Sequence, residues 1–260
     1  MLDKLKELYR YRELIRGLVV RDLKLRYRSS VLGFLWCLIN PLLMMAVFTF
    51  VFTIMLPNNN IERFPVFILI GVLAWNLHAT ALIGAINSVV GNASLIQKVY
   101  FPREVLPISN VLSNTVNFLL SLVALFILMI VLQAQFSPTM LLLPLVLAVQ
   151  VTFTLGIAML LAALNVYYRD TATILETLML AWFFLTPVIY RIEDVLPVYS
   201  RLMYIVNPPA SIIAAYRDIL YYGSITDWTF FSRTAISAVL TLVIGYVVFT
   251  RASRSFGEVL

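Results

Sequence analysis

The chain has 260 residues, of which 62% are hydrophobic and only 12% charged, and its formal net charge is +6. A mean hydropathy of +0.93 excludes a soluble protein with an apolar core and a polar shell. A single cysteine and a single histidine exclude an intrachain disulfide and a metal cluster built from these residue types. The composition therefore predicts an all-α integral membrane protein.

The chain is predicted to open with an amphipathic helix, in a first unit at residues 1–30. Between residues 3 and 28, apolar side chains recur at helical spacing and basic side chains fall between them. A basic amphipathic helix beside a bilayer lies in the plane of the interface. The remaining residues, 31–260, are predicted to form one transmembrane unit.

Six apolar stretches are long enough to cross the bilayer, since about 20 residues span roughly 30 Å of hydrocarbon. They lie at roughly 32–56, 64–90, 108–132, 141–165, 172–190 and 229–250. Most of the 19 Lys and Arg residues then fall on one side of the membrane. The positive-inside rule makes that side cytoplasmic, together with both termini.

Few polar residues interrupt the predicted spans. Pro41 predicts a kink in the first span, because proline removes a backbone donor and clashes with the preceding turn. His78 in the second span is interpreted as a hydrogen-bonding residue between helices rather than a proton relay. Glu176 is the one carboxylate within the spans, and it lies near the cytoplasmic end of the fifth. The absence of an acid near mid-membrane argues against an ion-coupled transporter.

The loop at 191–228 is too apolar for a solvated loop, yet its prolines and acids prevent a complete span. Two short helices are expected there, at roughly 194–205 and 209–222. The second has proline at its start and Gly223 just after its end. Apolar helices of this length suggest re-entrant segments in the outer leaflet. Non-helical backbone at membrane depth faces protein or water, so this loop is a candidate lining for an exit path.

The sequence contains no motif for covalent catalysis. It lacks the Gly-rich phosphate loop G-x-x-x-x-G-K-[ST], the nucleophile motif G-x-S-x-G and the zinc motif H-E-x-x-H. We therefore expect no catalytic residue and no metal site. If transport is active, its energy must come from another chain.

Four patches of sequence carry a resemblance to a known family. They are RDLKLRYRSSVLGFLWCLINP at 21–41, NASLIQKVYFPREVLP at 92–107, LNVYYRD at 164–170, and TPVIY at 186–190 followed by NPP at 207–209. Together they resemble the permease subunit of type-2 ABC exporters that move polysaccharides such as O-antigen, teichoic acid or capsule across the bacterial inner membrane. The likeness extends from about residue 13 to the tail, and its most specific part is KVYFPRE.

The resemblance implies a complex of two copies of this chain and two ABC ATPase subunits, which bind the ATP and Mg²⁺. This chain would then need no cofactor of its own and would bind no nucleic acid. The loop at 91–107 would be the coupling element on the ATPase. Its expected contact residues are Leu95, Lys98, Tyr100, Phe101, Arg103 and Glu104. Arg169 and Asp170 are either a second, smaller contact or a helix-end ion pair.

The resemblance also implies a lipid-linked polysaccharide as substrate, and it directs attention to two sets of residues. A basic set lies where a pyrophosphate would enter, although attraction to anionic membrane lipid explains it equally well: Arg21, Lys24, Arg26 and Arg28. An aromatic set offers ring faces for sugars, or else anchors and packs the helices: Trp36, Trp75, Trp182, Phe183, Phe184 and Tyr190.

Three rival functions stay open on the sequence. The nearest is a type-2 ABC exporter of drugs or lipids, against which the four patches favour polysaccharide. A membrane-embedded glycosyltransferase would need acidic residues around a metal, and the chain has no D-x-D motif. A membrane anchor without transport activity would leave the polar and aromatic residues of the spans without a purpose.

Overall fold

A computed structural model describes residues 9–27, 33–55, 61–195, 197–224 and 227–259. Regular structure within these ranges is helical throughout. Helices satisfy their own backbone hydrogen bonds, which is what an apolar chain in lipid requires. The α-helices, numbered along the chain, are α1 Arg12–Tyr27, α2 Trp36–Phe50, α3 Phe64–Ile86, α4 Ala93–Lys98, α5 Val105–Val131, α6 Leu143–Tyr167, α7 Thr171–Leu185, α8 Ile192–Val195, α9 Ser200–Val206, α10 Pro208–Arg217, α11 Trp228–Ala252 and α12 Phe256–Val259.

Five helical segments within the described ranges are long and apolar enough to cross a membrane. They are Leu38–Met55, Phe64–Ile86, Val105–Val131, Pro138–Tyr167 and Trp228–Ser255. These segments make the chain a multi-pass membrane protein, and they match five of the six predicted spans.

The fifth predicted span is shorter than expected. Helix α7 has 15 residues, or about 22 Å at 1.5 Å per residue, against roughly 30 Å of hydrocarbon. It ends before Thr186-Pro187, because the residue that precedes a proline is disfavoured in helical conformation. The expectation of one continuous span to residue 190 is therefore not confirmed.

Helix α3 forms the centre of the molecule and α2 lies at its edge. In the apolar 18-residue stretch of each helix, 78% of the residues are buried in α3 but only 6% in α2. Helix α1 packs along α5, and Leu18 is buried at that contact. The exposed apolar face of α2 is thus left for lipid or for another protein.

Helices α6 and α11 form the most extensive helix pair in the structure. A Cβ atom on Gly156 would lie 2.6 Å from the backbone nitrogen of Leu242, and one on Gly245 would overlap the carbonyl oxygen of Gly156. Only glycine allows this approach. Small residues at such contacts are the usual means by which membrane helices pack closely.

Hydrogen bonds join loops at each of two ends of the helices, and we name these ends by the predicted orientation. At the inner end, Arg21 Nη1 donates to Asn92 Oδ1 at 3.2 Å. At the outer end, Ser137 Oγ donates to the carbonyl oxygen of Gly223 at 3.1 Å. We call residues 87–104 the inner loop and residues 186–227 the outer segment.

The outer segment contains short helices close to those expected. The predicted helix at 194–205 is divided into α8 and α9, with a turn at 197–199 between them. The predicted helix at 209–222 corresponds to α10 and the π-helical turn Asp218–Tyr222. Gly223 follows it with φ of +68°, a conformation that glycine adopts without strain.

Arg217 of α10 stabilises the non-helical segment that follows α7. Its side chain is buried, and its Nη1 and Nη2 donate to the carbonyl oxygens of Pro187 at 2.7 Å and Val188 at 2.6 Å. The guanidinium also lies over the ring of Phe67, 3.5 Å from its centroid. Carbonyl groups of the non-helical segment that follows α7 are satisfied in this way.

Candidate functional site

A groove runs between α2, α3 and α5 and encloses a volume of about 830 Å³. Part of its wall is apolar, but amide and hydroxyl side chains come from all three helices. The polar residues that line it are Asn40, Asn76, Thr80, Asn114, Asn117 and Ser121. Groups of this kind at membrane depth face water or a polar ligand, because unsatisfied polar atoms are costly in hydrocarbon.

The polar wall follows from helical periodicity. Asn114, Asn117 and Ser121 are spaced by three and four residues, so they share one face of α5. On α3, Asn76 and Thr80 are four residues apart, and Thr80 Oγ1 donates to the carbonyl oxygen of Asn76 at 2.6 Å. Sequence reasoning missed this face of α5, although polar residues at these intervals in an apolar span were a readable signal.

Arg26 is the one charged side chain among the described residues that line the groove. Its Nη2 donates to Asn114 Oδ1 at 3.0 Å. The groove therefore combines a neutral polar wall with a cation where α1 meets α5. Such a lining suits a ligand that is rich in neutral donors and acceptors and that carries an anion at one end.

The predicted phosphate-binding residues have different surroundings. Among them, only Arg26 lines the groove. Arg21 is paired with Asp22 at 3.1 Å and also contacts Asn92. Lys24 is exposed. Arg28 lies outside the described residues.

Four of the six predicted aromatic residues form a single cluster between α3 and α7. The ring centroids of Trp75 and Trp182 are 6.1 Å apart, those of Trp75 and Phe183 are 5.7 Å apart, and those of Phe183 and Phe184 are 5.3 Å apart. The Trp75 side chain is only 6% exposed. This burial favours the packing alternative for Trp75, because the ring is enclosed where the two helices pack.

Trp36, Phe184 and Tyr190 are more accessible than Trp75. Trp36 lines the groove and is partly exposed. Phe184 is 60% exposed, and Tyr190 Oη donates to its carbonyl oxygen at 3.0 Å. Trp182 Nε1 donates to Asn207 Oδ1 at 3.0 Å, which ties α7 to the start of α10.

The predicted interhelical hydrogen bond of His78 is confirmed. Its Nδ1 lies 2.9 Å from Thr154 Oγ1 on α6, and both side chains are buried. The imidazole also stacks on Phe153 with ring centroids 5.7 Å apart. His78 therefore joins α3 to α6.

The inner loop contains the short helix α4, followed by an extended connection to α5. Tyr100 projects from it and is 89% exposed, and Lys98 is exposed beside it. Leu95 is partly buried. These positions are compatible with contact to a docked protein.

The structure corrects the surface position expected of two other residues of the inner loop. Phe101 is only 5% exposed and belongs to a buried cluster that also contains Phe249 and Phe256. Glu104 is buried as well, and Thr250 Oγ1 donates to its carboxylate at 3.4 Å. Both side chains face the end of α11 and the tail, a contact between distant parts of the sequence.

Arg169 and Asp170 lie in the short connection between α6 and α7, and both are exposed. None of the ion pairs found in the described ranges involves either residue. The alternative of a helix-end ion pair is thus not seen. Their predicted contact with an ATPase stays a prediction.

Comparison with known proteins then assigns the family. The sequence profile of the ABC-2 type transporters matches residues 13–221. The chain belongs to the ABC-2 type transporter family. The profile covers α1, the groove, the inner loop and most of the outer segment, and members of this family act with an ABC ATPase.

Curated members of the ABC-2 family are similar over nearly the whole chain. An O-antigen export system permease protein RfbA from Myxococcus xanthus is 38% identical over 99% of both chains. A protein of the same name from Klebsiella pneumoniae is 30% identical over 92% of both chains. The polysialic acid transport protein KpsM from Escherichia coli is 20% identical over 90% of this chain and 92% of its own.

Proposed function

We propose that this chain is the permease subunit of an ABC exporter that moves a lipid-linked polysaccharide across the bacterial inner membrane. Its ABC-2 family membership and its similarity to relatives named for O-antigen and polysialic acid transport support the class of cargo. The observation that carries the proposal is the neutral polar groove between α2, α3 and α5.

The lining of the groove matches the chemistry of a glycan. A sugar presents many neutral hydroxyl groups, and amides and hydroxyls both donate and accept hydrogen bonds to them. Trp36 adds a ring face for the apolar C–H surface of a sugar ring. A hydrophobic drug or lipid would offer this polar wall no hydrogen bonds, whereas sugar hydroxyls would add to those that the wall already makes.

Arg26 fits the other end of a lipid-linked glycan. A guanidinium binds phosphate oxygens in a bidentate manner, so it suits the pyrophosphate that joins sugar to lipid. We propose Arg26 as the principal phosphate contact. Arg21, Lys24 and Arg28 would then add a basic surface that attracts anionic groups to the site.

We propose six passes through the membrane, with both termini in the cytoplasm. Residues 1–30 would form the interfacial unit and residues 31–260 the transmembrane unit. Helix α7 begins the fifth pass, and the outer segment completes it with α9 and α10 as re-entrant helices in the outer leaflet. The partners of Arg217 support this arrangement, because they supply hydrogen bonds that lipid cannot.

We propose that two copies of the chain form the glycan path. The groove is open on one side, and the neighbouring face of α2 exposes large apolar side chains such as Leu43 and Val47. A second copy would close the groove and cover this face. Two ABC ATPase subunits would bind ATP and Mg²⁺ and drive the dimer through its inner loops.

Deletion of the gene in its host tests the proposed function. Surface polysaccharide should disappear, and the lipid-linked polymer should accumulate inside the cell. Re-expression of the intact chain should restore the surface glycan. Normal surface glycan together with increased sensitivity to hydrophobic drugs would contradict the proposal and favour a drug exporter.

A further inference from the structure

The C-terminal tail, residues 253–259, packs against the inner end of the molecule. The side chain of Phe256 is fully buried, with its ring centroid 5.5 Å from that of Phe249 and 6.2 Å from that of Tyr167. Tyr167 Oη also lies 2.6 Å from Ser255 Oγ. The tail is therefore held by packing and by hydrogen bonding to α6.

The same tail contacts the inner loop. The guanidinium of Arg103 lies over the ring of Phe256, 5.9 Å from its centroid. Just before the tail, Thr250 donates to the carboxylate of Glu104. The tail and the end of α11 thus fix the position of the extended connection that follows α4.

A cavity of about 610 Å³ opens between the inner loop and the tail. Three basic side chains line it, namely Lys98, Arg103 and Arg254. In the described part of this lining, the acidic residue is Glu104, whose side chain is buried and already bonded to Thr250. Lys98 and Arg254 are exposed, and among the side chains that the structure describes neither is in an ion pair. The described lining of the cavity therefore carries a net positive charge.

We propose that this cavity receives an acidic segment of the ATPase subunit, so that the ATPase docks on the inner loop and on the tail together. The inference rests on the proposed function, which supplies the ATPase, and it adds Arg254 and the tail to the docking surface. Arginine and lysine favour carboxylates in such a site, and Arg254 can bind one in a bidentate manner.

The rim of the site favours a protein segment as its occupant. The cavity is walled by the inner loop on one side and by the tail on the other. Tyr100 and Val99, beside its rim, are exposed apolar side chains. Basic and aromatic residues around a concave centre are typical of protein interfaces.

Photo-crosslinking in the intact complex tests this proposal. The photoreactive residue p-benzoylphenylalanine is placed at Arg254, at Tyr100, or at Val198, which is exposed on the outer segment. We expect adducts with the ATPase from positions 254 and 100 and none from 198. An adduct from 100 but only lipid adducts or none from 254 would overturn the inference and leave the proposed function intact. No adduct from either position would contradict ATPase docking itself.

Charge reversal supplies a second test. Arg254→Glu should lower permease-stimulated ATP hydrolysis about tenfold at low salt, and the difference should shrink as salt screens the charges. Arg251→Glu is the matched control, because Arg251 is exposed and does not line the cavity. Arg254→Lys should retain most of the stimulation. Equal activities for Arg254→Glu and Arg251→Glu, in proteins that elute as intact complexes, would refute the tail contact.

Discussion

Arg26 Nη2 donates a hydrogen bond of 3.0 Å to Asn114 Oδ1. This contact joins helix α1 to the polar wall of the groove on α5. It places a permanent positive charge where α1 meets a neutral lining of amides and hydroxyls. Under the proposed function, recognition of a phosphate and passage of a sugar polymer would occupy adjacent parts of one surface.

Loss of the Arg26 charge should weaken substrate recognition. Arg26→Ala removes the phosphate partner and leaves Asn114 without its donor, so we expect about tenfold weaker binding of a lipid pyrophosphate. Binding is measured with the purified complex in lipid nanodiscs. The matched control is Lys24→Ala, since Lys24 is exposed and does not line the groove. Equal losses in the two variants would point to general attraction of anionic lipid instead.

An apolar side chain in the polar wall should slow export. Asn76→Leu keeps a similar volume but removes an amide from the groove, and one lost hydrogen bond of about 1 kcal/mol corresponds to about fivefold. The rate at which glycan reaches the cell surface is the measurement, with ATPase binding expected to be unchanged. Leu119→Ala on the exposed opposite face of α5 is the control. If both variants export at the rate of the unmodified protein, the groove is not the glycan path.

The close approach of α6 and α11 predicts a large effect of a small substitution. Gly245→Ala adds a Cβ atom that must overlap the backbone of Gly156, and such overpacking costs about 1–3 kcal/mol. Thermal unfolding in detergent should show a clearly lowered midpoint. Gly17→Ala is the control, because a Cβ atom there meets nothing within 4 Å. An unchanged midpoint in Gly245→Ala would show that the two backbones do not approach each other this closely.

Arg217 should be essential for the stability of the outer segment. Arg217→Met leaves the carbonyl oxygens of Pro187 and Val188 unpaired, at about 1–3 kcal/mol for each buried group. We expect a lowered unfolding midpoint and faster proteolysis of the outer segment. Arg201→Met removes an exposed arginine from the same segment and should have little effect. Equal unfolding midpoints and equal rates of proteolysis in the two variants would argue against Arg217 as the residue that stabilises the segment after α7.

Much of the fold was predictable because the bilayer imposes simple rules. The length of the apolar run predicted α3, and the proline at the start of α10 with Gly223 beyond it predicted the second outer helix. The hydrogen bond of His78 followed from the cost of an unpaired polar group in an apolar span. Each of these arguments needed only local sequence.

The rest depended on contacts between distant residues. The end of α7 was misplaced because TPVIY is apolar enough to continue a span, whereas Pro187 stops the helix. Phe101 was expected at the surface, but it packs with Phe256, which lies more than 150 positions away in the chain. The groove depends on how α2, α3 and α5 are rotated about their axes, and the positions of Asn76 and Asn117 along the sequence do not specify that rotation.

The central claim is that this chain moves a lipid-linked glycan only when a separate ATPase drives it. The most direct measurement reconstitutes the permease, with or without its ATPase, into vesicles whose outer leaflet carries the lipid-linked polysaccharide. ATP is added outside, and protection of the glycan from an external glycoside hydrolase reports movement into the lumen. The account predicts ATP-dependent protection with the complex and none with the permease alone. Protection by the permease alone, or none with the active complex, would contradict it.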